Sequence, residues 1–307
     1  MRPDVAPPSA LLTGATGGLG RHVALRLAQN GYRLFLHGRN LVRLAALSAE
    51  VRAAGGPSPY IIRADLGDLS DVAALCEQIE RTTVRLDLVV NNAGTGFERD
   101  MVRKEGNAPT FQVNYLAPYL IMHRLLPLMR NIDGSVIVNV ASLGQADLPD
   151  DLRQAESGPD AVVYGRSKLA LIMATRSLAE QMGEGGPAIY AVHPGSMLDT
   201  RLTHSLLRRM PPWVDFCWRA SRRLRPTVES AAGFVAAVAT ESQGIRRSGT
   251  FWTAKGLGRT RRQAADVVAR DKLEAFSREA VAPYLADHSN ATGPATLPAG
   301  PIEVSSL

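Results

Sequence analysis

The stretch Thr13-Gly14-Ala15-Thr16-Gly17-Gly18-Leu19-Gly20 decides how this chain folds. It follows a short apolar run, Ala10-Leu11-Leu12. After it, Val23, Ala24, Leu27 and Ala28 recur at the i, i+1, i+4, i+5 spacing of an amphipathic helix. The order is therefore buried strand, glycine loop, helix. Gly14, Gly18 and Gly20 carry no side chains, so backbone N–H groups and the helix N-terminus can approach a pyrophosphate. Tight turns need glycine too, but the place between a strand and a helix favours dinucleotide binding. The spacing, T-G-x-x-x-G-x-G, has one more residue between the first two glycines than the usual dinucleotide fingerprint.

Outward from this loop the chain alternates. Asn30-Gly31 ends the helix, and Tyr32 to His37 reads as a second strand. A helix from Leu41 to Ala54 puts Leu44, Leu47 and Val51 on one stripe, Gly55-Gly56-Pro57 breaks it, and Tyr60 to Arg63 is a third strand. Ser70 is expected to N-cap a helix through Arg81, followed by strand Leu86 to Val90, which ends in Asn91-Asn92-Ala93-Gly94. A helix from Thr110 to Arg130, strand Ser135 to Val140, the helix bearing Tyr164 and strand Ala188 to Val192 come next. After His193-Pro194-Gly195, helix Val228 to Thr240 and strand Gly249 to Trp252 complete the pattern. Strands alternating with helices of this length imply a parallel sheet covered on both faces. Right-handed crossovers make it doubly wound. The expected organisation is a disordered leader (1–9), one α/β domain (10–286) closing with helix Ala264 to Leu285, and a disordered tail (287–307) rich in Pro, Ser, Thr and Gly.

Composition narrows the function. The chain has 307 residues, 45% hydrophobic and 21% charged, which suits a globular protein large enough for a full α/β domain. Its net charge of +6, concentrated in Arg208 to Arg225 and Arg246 to Arg262, reads first as solvated surface; a polyanionic cofactor would also profit from it. No motif supports nucleic-acid binding. Cys76 and Cys217 lie far apart, and the six histidines show no ligand spacing, so neither a disulfide framework nor a metal site is expected. No apolar run approaches about 18 residues and Met1 to Ser9 lacks a signal-peptide core, which points to a cytoplasmic protein without a transmembrane segment.

Tyr164-Gly165-Arg166-Ser167-Lys168 opens an apolar helical run, and residues four apart share a helix face. An ammonium next to a phenol favours the phenolate, so Lys168 is expected to lower the pKa of Tyr164 and make it an acid/base group near neutral pH. With Asn114 in Phe111-Gln112-Val113-Asn114 and Ser142 at a strand's C-terminal end, the pair becomes a constellation. Taken alone, Asn114 reads equally as a mid-helix kink residue and Ser142 as a helix N-cap. The order and spacing of Thr13 to Gly20, Asn91 to Gly94, Asn114, Ser142, Tyr164/Lys168 and Pro194-Gly195 resemble the short-chain dehydrogenases/reductases over roughly residues 10 to 285. The likeness is greatest to the retinol-dehydrogenase-like and protochlorophyllide-reductase-like group. Three features carry it: the long interval from Ser142 to Tyr164, the acidic insert Asp147 to Leu152, and Lys272-Leu273-Glu274-Ala275-Phe276-Ser277.

The resemblance implies a single doubly wound Rossmann domain with a central parallel sheet of about seven strands. It also implies catalytic roles. Tyr164 would exchange the proton with the substrate oxygen, Ser142 would donate a hydrogen bond to that oxygen, Lys168 would tune Tyr164 and bind the nicotinamide ribose, and Asn114 would hold a relay water. Gly14, Thr16, Gly17, Gly18, Leu19 and Gly20 would line the pyrophosphate. Asp65 and Leu66 would hold the adenine, Asn91, Ala93 and Gly94 would flank its ribose and stabilise the central strand, with a purely structural turn as the alternative for Asn91-Asn92, and Pro194-Gly195 would open a loop over the nicotinamide. Thr200 would touch the carboxamide or phosphates, although it lies five residues after Gly195, one more than in the family pattern. Where NAD-binding chains place an acid after the second strand, this one has His37-Gly38-Arg39-Asn40. Arg39 could offer its planar guanidinium to a 2′-phosphate with Arg21 assisting, the alternative being that both are simply solvated at helix starts; with the acid missing and Arg39 present, NADP(H) is favoured over NAD(H).

The segment at about 196–226 mixes apolar and basic residues, and Phe97 and Tyr115 are further candidates for apolar wall. For that segment a peripheral membrane contact, cover for a bulky lipophilic substrate, and packing on the core stay open. The expected function is an NADPH-dependent ketone or aldehyde reductase acting on a small-molecule carbonyl or alcohol, as monomer or homodimer. Its rivals are an NAD(P)-dependent retinoid- or steroid-type alcohol dehydrogenase and a non-catalytic NADP-binding sensor on the same fold.

Overall fold

The computed structural model describes residues 6–96, 109–195, 226–241 and 247–285. Its strands are β1 (Ser9–Leu12), β2 (Arg33–Gly38), β3 (Tyr60–Arg63), β4 (Leu88–Asn91), β5 (Val136–Val140), β6 (Ala188–His193), β7 (Thr250–Thr253) and β8 (Gly256–Leu257). They form one sheet in the order β3-β2-β1-β4-β5-β6-β7-β8. β1 to β7 run parallel, as expected from the alternation. The eighth strand was not foreseen: its two residues turn back antiparallel on β7, too short to show a period. The chain winds outward from β1 to β3 and then resumes at β4 on the other side. The loop after β1 therefore lies at a topological switch point, where open α/β sheets bind ligands.

The strands are buried on both sides, so their apolar residues run continuously and successive residues feed opposite cores. Leu11, Val89, Ile137 and Ala191 pack on one face with α3 (Leu69–Thr82), α5 (Ala117–Leu125), α6 (Asp160–Met182) and α8 (Val267–Leu285). Leu12, Val90, Val138 and Val192 pack on the other with α1 (Gly18–Gln29), α2 (Leu41–Ala53) and α7 (Val228–Glu241).

Several boundaries differ from the sequence reading. Ser9 belongs to β1 and not to a leader, because its N–H donates to the Asp87 carboxylate at 2.8 Å and its hydroxyl to the Arg85 carbonyl at 2.6 Å. Asp68, not Ser70, caps α3: its carboxylate accepts from the Ser70 N–H at 2.8 Å and the Ser70 hydroxyl at 2.6 Å. The helix expected from Thr110 to Arg130 is broken into α4 (Pro109–Phe111), a π-helical turn (Gln112–Leu116), α5 and a 3₁₀ turn (Leu126–Leu128). The last helix begins at Val267, after a 3₁₀ turn from Arg262 to Ala265. It is fixed by polar bonds. The Tyr115 and Ser277 hydroxyls pair at 2.5 Å and Tyr119 donates to Glu274 at 2.9 Å. Arg124 joins both Glu80 oxygens to the Tyr284 carbonyl. Tyr115, expected as substrate wall, is thus a fully buried core residue. The expected tail and residues 1–5 lie outside the described residues. None of the described helices is long and apolar enough to cross a membrane.

Candidate active site

The loop after β1 is made of backbone, and the residues that shape it stand behind it. Gly14 adopts φ +64°, and a Cβ there would come within 2.8 Å of the Ala93 Cα. A Cβ on Gly20 would lie 2.2 Å from the Gly14 carbonyl oxygen. The Thr13 hydroxyl accepts the N–H groups of Asn92 and Ala93, both at 3.0 Å. The Asn92 side chain donates to the Thr13 and Gly14 carbonyls at 2.9 and 3.2 Å. The turn after β4 thereby clamps the turn after β1 across the switch point.

These residues fit a pyrophosphate. Gly17 is the N-cap of α1, with no side chain capping the helix and no acid in its first turn. A Cβ built on Gly17 meets nothing within 4 Å among the described residues, which leave that side of the loop open. The uncapped N–H groups of α1 and its dipole suit an anion there. Thr16 packs against Gly38, whose missing Cβ leaves room for it: an added one would lie 3.2 Å from the Thr16 methyl carbon. Leu19 is buried and serves the core, while Gly18 is exposed.

Around this loop the predicted cofactor residues divide. Arg39 is exposed at the end of β2. Arg21 is ion-paired with Glu50 of α2, so its guanidinium is engaged on the helix surface. Asp65 accepts the Gly67 N–H at 3.0 Å, shaping the turn after β3. The Leu66 side chain enters the core, which leaves its backbone as the only part for an adenine contact. Asn91 turns into the sheet: it donates to Asn139 at 2.8 Å, and Asn139 donates to Thr175 at 2.9 Å. Its side chain therefore ties β4, β5 and α6 together, and the neighbour Asn92 holds the loop. Gly195 has φ +105°, and its Cβ position would meet Pro226 at 2.5 Å. Thr200, Phe97 and residues 196–225 lie outside the described residues.

The second half of the site lies at the C-terminal ends of β4 and β5 and on α6. Tyr164 is half-buried and hydrogen-bonded to Ser142. Lys168 is buried, with its Nζ 2.9 Å from the Val140 carbonyl oxygen and 5.8 Å from the Tyr164 ring centroid. The π-helical turn delivers Asn114 to the Thr95 backbone: its Oδ1 accepts the Thr95 N–H and its Nδ2 donates to the Thr95 carbonyl, both at 2.8 Å. Nδ2 also donates to the Ser167 hydroxyl at 3.0 Å, and Ser167 donates to the Tyr164 carbonyl at 2.7 Å. An added Cβ on Gly94 would lie 3.3 Å from Asn114 Oδ1 and 3.5 Å from Lys168 Nζ, so both polar groups border one small space. The structure thus brings Asn114, Ser142, Tyr164 and Lys168 together.

The electrostatics differ from the sequence expectation. Burial pushes the Tyr164 phenol up from its ordinary value, and the Ser142 hydrogen bond pulls it part of the way back. Burial also lowers the Lys168 ammonium to about 8. Desolvation penalises both charged forms at once, and Lys168 spends a proton on the Val140 carbonyl. Without a bound ligand, Tyr164 is therefore held as the neutral acid.

The loop that carries Ser142 is fixed at several points. Gly165 lets it cross α6, since a Cβ there would be 2.8 Å from the Ala146 nitrogen. Arg166 donates to the carbonyls of Ser157 and Gln154, at 2.6 and 3.2 Å, and to that of Asp147, the first residue of the acidic insert, at 3.4 Å. Gln263 exchanges two hydrogen bonds with Leu148, and Arg261 pairs with Asp147. These contacts, like those of His37 below, were missed by sequence reasoning because their partners are distant in the chain. Among the described residues no group of three or more His, Cys, Asp or Glu could hold a metal ion.

A doubly wound sheet with a glycine loop at its switch point and a Ser–Tyr–Lys set beside it defines a dinucleotide-binding fold of the dehydrogenase type. A family model described as short chain dehydrogenase matches residues 8–210, and the chain belongs to that family. Within it the chain falls with the retinol-dehydrogenase-like group. Retinol dehydrogenase 12 of Mus musculus is 30% identical over 202 residues, 64% of each chain. Retinol dehydrogenase 11 of Mus musculus is 31% identical over 214 residues, 68% of this chain and 66% of that one. The chain thus spans just under two thirds of these relatives' length. Among solved structures, the angucycline C-6 ketoreductase LanV with bound NADP is 28% identical, with TM-score 0.64 over 80% of this chain and 93% of that one. The Pseudomonas aeruginosa RhlG/NADP active-site complex is 25% identical, with TM-score 0.65 over 83% and 98%.

Proposed function

We propose that this chain is an NADPH-preferring oxidoreductase that reduces a ketone or aldehyde, the carbonyl belonging to a bulky lipophilic molecule. The observation that carries the reading is the set in which the half-buried Tyr164 hydrogen-bonds Ser142 with the buried Lys168 against its ring. The preference for NADP(H) is supported by the exposed Arg39 and the absence of an acid after β2. NADP complexes of a ketoreductase and of RhlG on the same fold support it further.

When bound, the dinucleotide supplies the hydride equivalent that the reaction needs. The protein supplies the rest. The glycine loop and the N-terminus of α1 would hold the pyrophosphate, the loop being shaped from behind by Thr13 and the turn of Asn92 and Ala93. The Ser142 hydroxyl hydrogen-bonds the substrate oxygen, and the Tyr164 hydroxyl delivers its proton to that oxygen as charge develops. Burial suits Tyr164 to this direction, since it keeps the phenol protonated until it is needed. Lys168, anchored on Val140, offers its remaining N–H groups to the cofactor ribose and stabilises the phenolate left behind. Asn114 fixes the Thr95 backbone at the rim of the space where a relay water would reach Lys168.

The test is consumption of NADPH against a set of lipophilic ketones, aldehydes and quinones, with Tyr164→Phe as control. Turnover by the parent and loss in the variant is the expected result; equal rates would refute the mechanism. The likeness to retinol dehydrogenases favours a second reading, oxidation of a retinoid- or steroid-type alcohol. Tighter binding of NADH than of NADPH would select it.

A further inference from the structure

His37 lies where the three ligand-facing turns of the β1–β3 half meet. It is 3% exposed, and its ring is bonded at both nitrogens. Nδ1 accepts the Gly14 N–H at 3.2 Å, and Nε2 lies 3.1 Å from the carbonyl oxygen of Ala64, at the end of β3. A carbonyl only accepts and an amide N–H only donates, so both bonds exist for one species alone: the neutral imidazole protonated at Nε2. The His37 backbone carbonyl accepts the next amide of the loop, Ala15 N–H, at 2.9 Å. One residue thus holds two consecutive loop amides, one through a main-chain bond that any residue could make and one through its ring.

We propose that His37 is a positioning residue for the dinucleotide, setting the Gly14–Gly20 loop through its neutral, Nε2-protonated ring; this rests on the cofactor reading above. The surroundings enforce the neutral form. Burial drives the ring pKa down to about 4, against the hydrogen bond to Ala64 and the attraction of Asp65 and Asp71 from the β3–α3 side, and with help from Arg39 just after its own strand. The glycine loop, Thr13 to Gly20, contributes no titratable side chain. A protonated ring would aim an N–H at the Gly14 N–H and push the loop toward the space the pyrophosphate needs.

Two substitutions separate the bonds. The Oδ1 of Asn sits as far from Cβ as Nδ1 does, so His37→Asn can still accept from Gly14. Gln reaches instead to the Nε2 position, so His37→Gln can keep Ala64 and loses Gly14. On the full chain at pH 7.5, amide hydrogen exchange of the 13–20 peptide should quicken at least tenfold in His37→Gln and stay within threefold of the parent in His37→Asn. NADPH affinity, read by fluorescence titration, should weaken about tenfold in the first and less than threefold in the second. The ring ¹⁵N signals of the parent, assigned by their loss in His37→Asn, should report a protonated Nε2 and a bare Nδ1 at pH 6. The proposal is overturned if His37→Gln matches the parent in loop exchange, if Asn and Gln are equally impaired, or if Nδ1 carries the proton. Should His37→Gln fail to fold, the ring spectrum and the Asn variant still decide. Should the parent bind no NADPH, the cofactor reading falls, while exchange and tautomer continue to test the role of His37 in the loop.

Discussion

The two halves of the site are built from opposite materials. On the β1 side the ligand-facing surface is glycine and main-chain amide, and the side chains that shape it, Thr13, Asn92 and His37, point at its back. On the β5 side the working groups are side chains, Ser142, Tyr164 and Lys168, and main-chain carbonyls such as Val140 hold them. The first half fails when something is added to it. The second fails when something is removed.

The largest effect should follow removal of one oxygen. Tyr164→Phe keeps the ring against Lys168 and the packing of α6, but takes away the proton donor. Turnover should fall about a thousandfold, with NADPH affinity within threefold of the parent, as read by steady-state rates and fluorescence titration. Loss of cofactor binding with loss of turnover would instead mean that the phenol supports the first half too.

Addition is the matching test on the other side. Gly20→Ala places a Cβ 2.2 Å from the Gly14 carbonyl oxygen and 2.8 Å from the Asn92 amide, both held by the clamp across the switch point. Backbone must move, and the unliganded chain should lose about 3 kcal/mol of stability in urea unfolding. A variant as stable as the parent would show that the loop yields freely and that the clamp is weak.

The same contrast explains what could be read in advance. Tyr164, Lys168, Ser142 and Asn114 were legible because their chemistry resides in residue identity, and the alternation of strands was legible because its period is local. A break at Asn114 was legible only as one of two readings of that residue, and its π-helical form was not legible, since no residue type marks such a turn. His37 and Asn92 were not, since their meaning lies in bonds to Gly14, 23 and 78 positions away in sequence. Asn91 was read as flanking the ribose and as stabilising the central strand, and its side chain takes the second role, directed by β4 into the sheet toward Asn139. The direction of the Tyr164 shift was misread for a related reason: spacing shows the neighbouring charge, and only burial shows the cost of keeping it.

That cost is measurable through Lys168. Its ammonium titrates at about 8 in the folded chain and at its ordinary 10.5 when unfolded. Between these values the unfolded chain binds the proton and the folded chain does not, so stability rises with pH across the window. Below about 8 both forms carry the charge and the penalty is complete. The parent should therefore gain about 3 kcal/mol relative to Lys168→Met as pH is raised from 7.5 to 10.5. Urea titrations at both ends of the range check it, and a constant difference would mean that the site is wetter than its burial indicates. His37 gives the same sign lower down, with stability lost as pH falls from 6.5 toward 4.

The smallest expected effect on stability is the sharpest on the comparison. Gly17→Ala adds a Cβ in the same loop, yet φ is −122° and nothing among the described residues lies within 4 Å of it. Ala is a poorer N-cap than Gly by roughly half a kcal/mol or more, and it restricts the unfolded chain by about as much in the opposite sense. The two offset, so urea unfolding should change by less than about 0.5 kcal/mol. The open space that makes the substitution harmless to folding is the space assigned to the pyrophosphate. NADPH affinity should therefore fall about tenfold in a chain as stable as the parent. An unchanged affinity would mean that the cofactor passes this face of α1 at a distance, and that the loop is shaped for the bend alone.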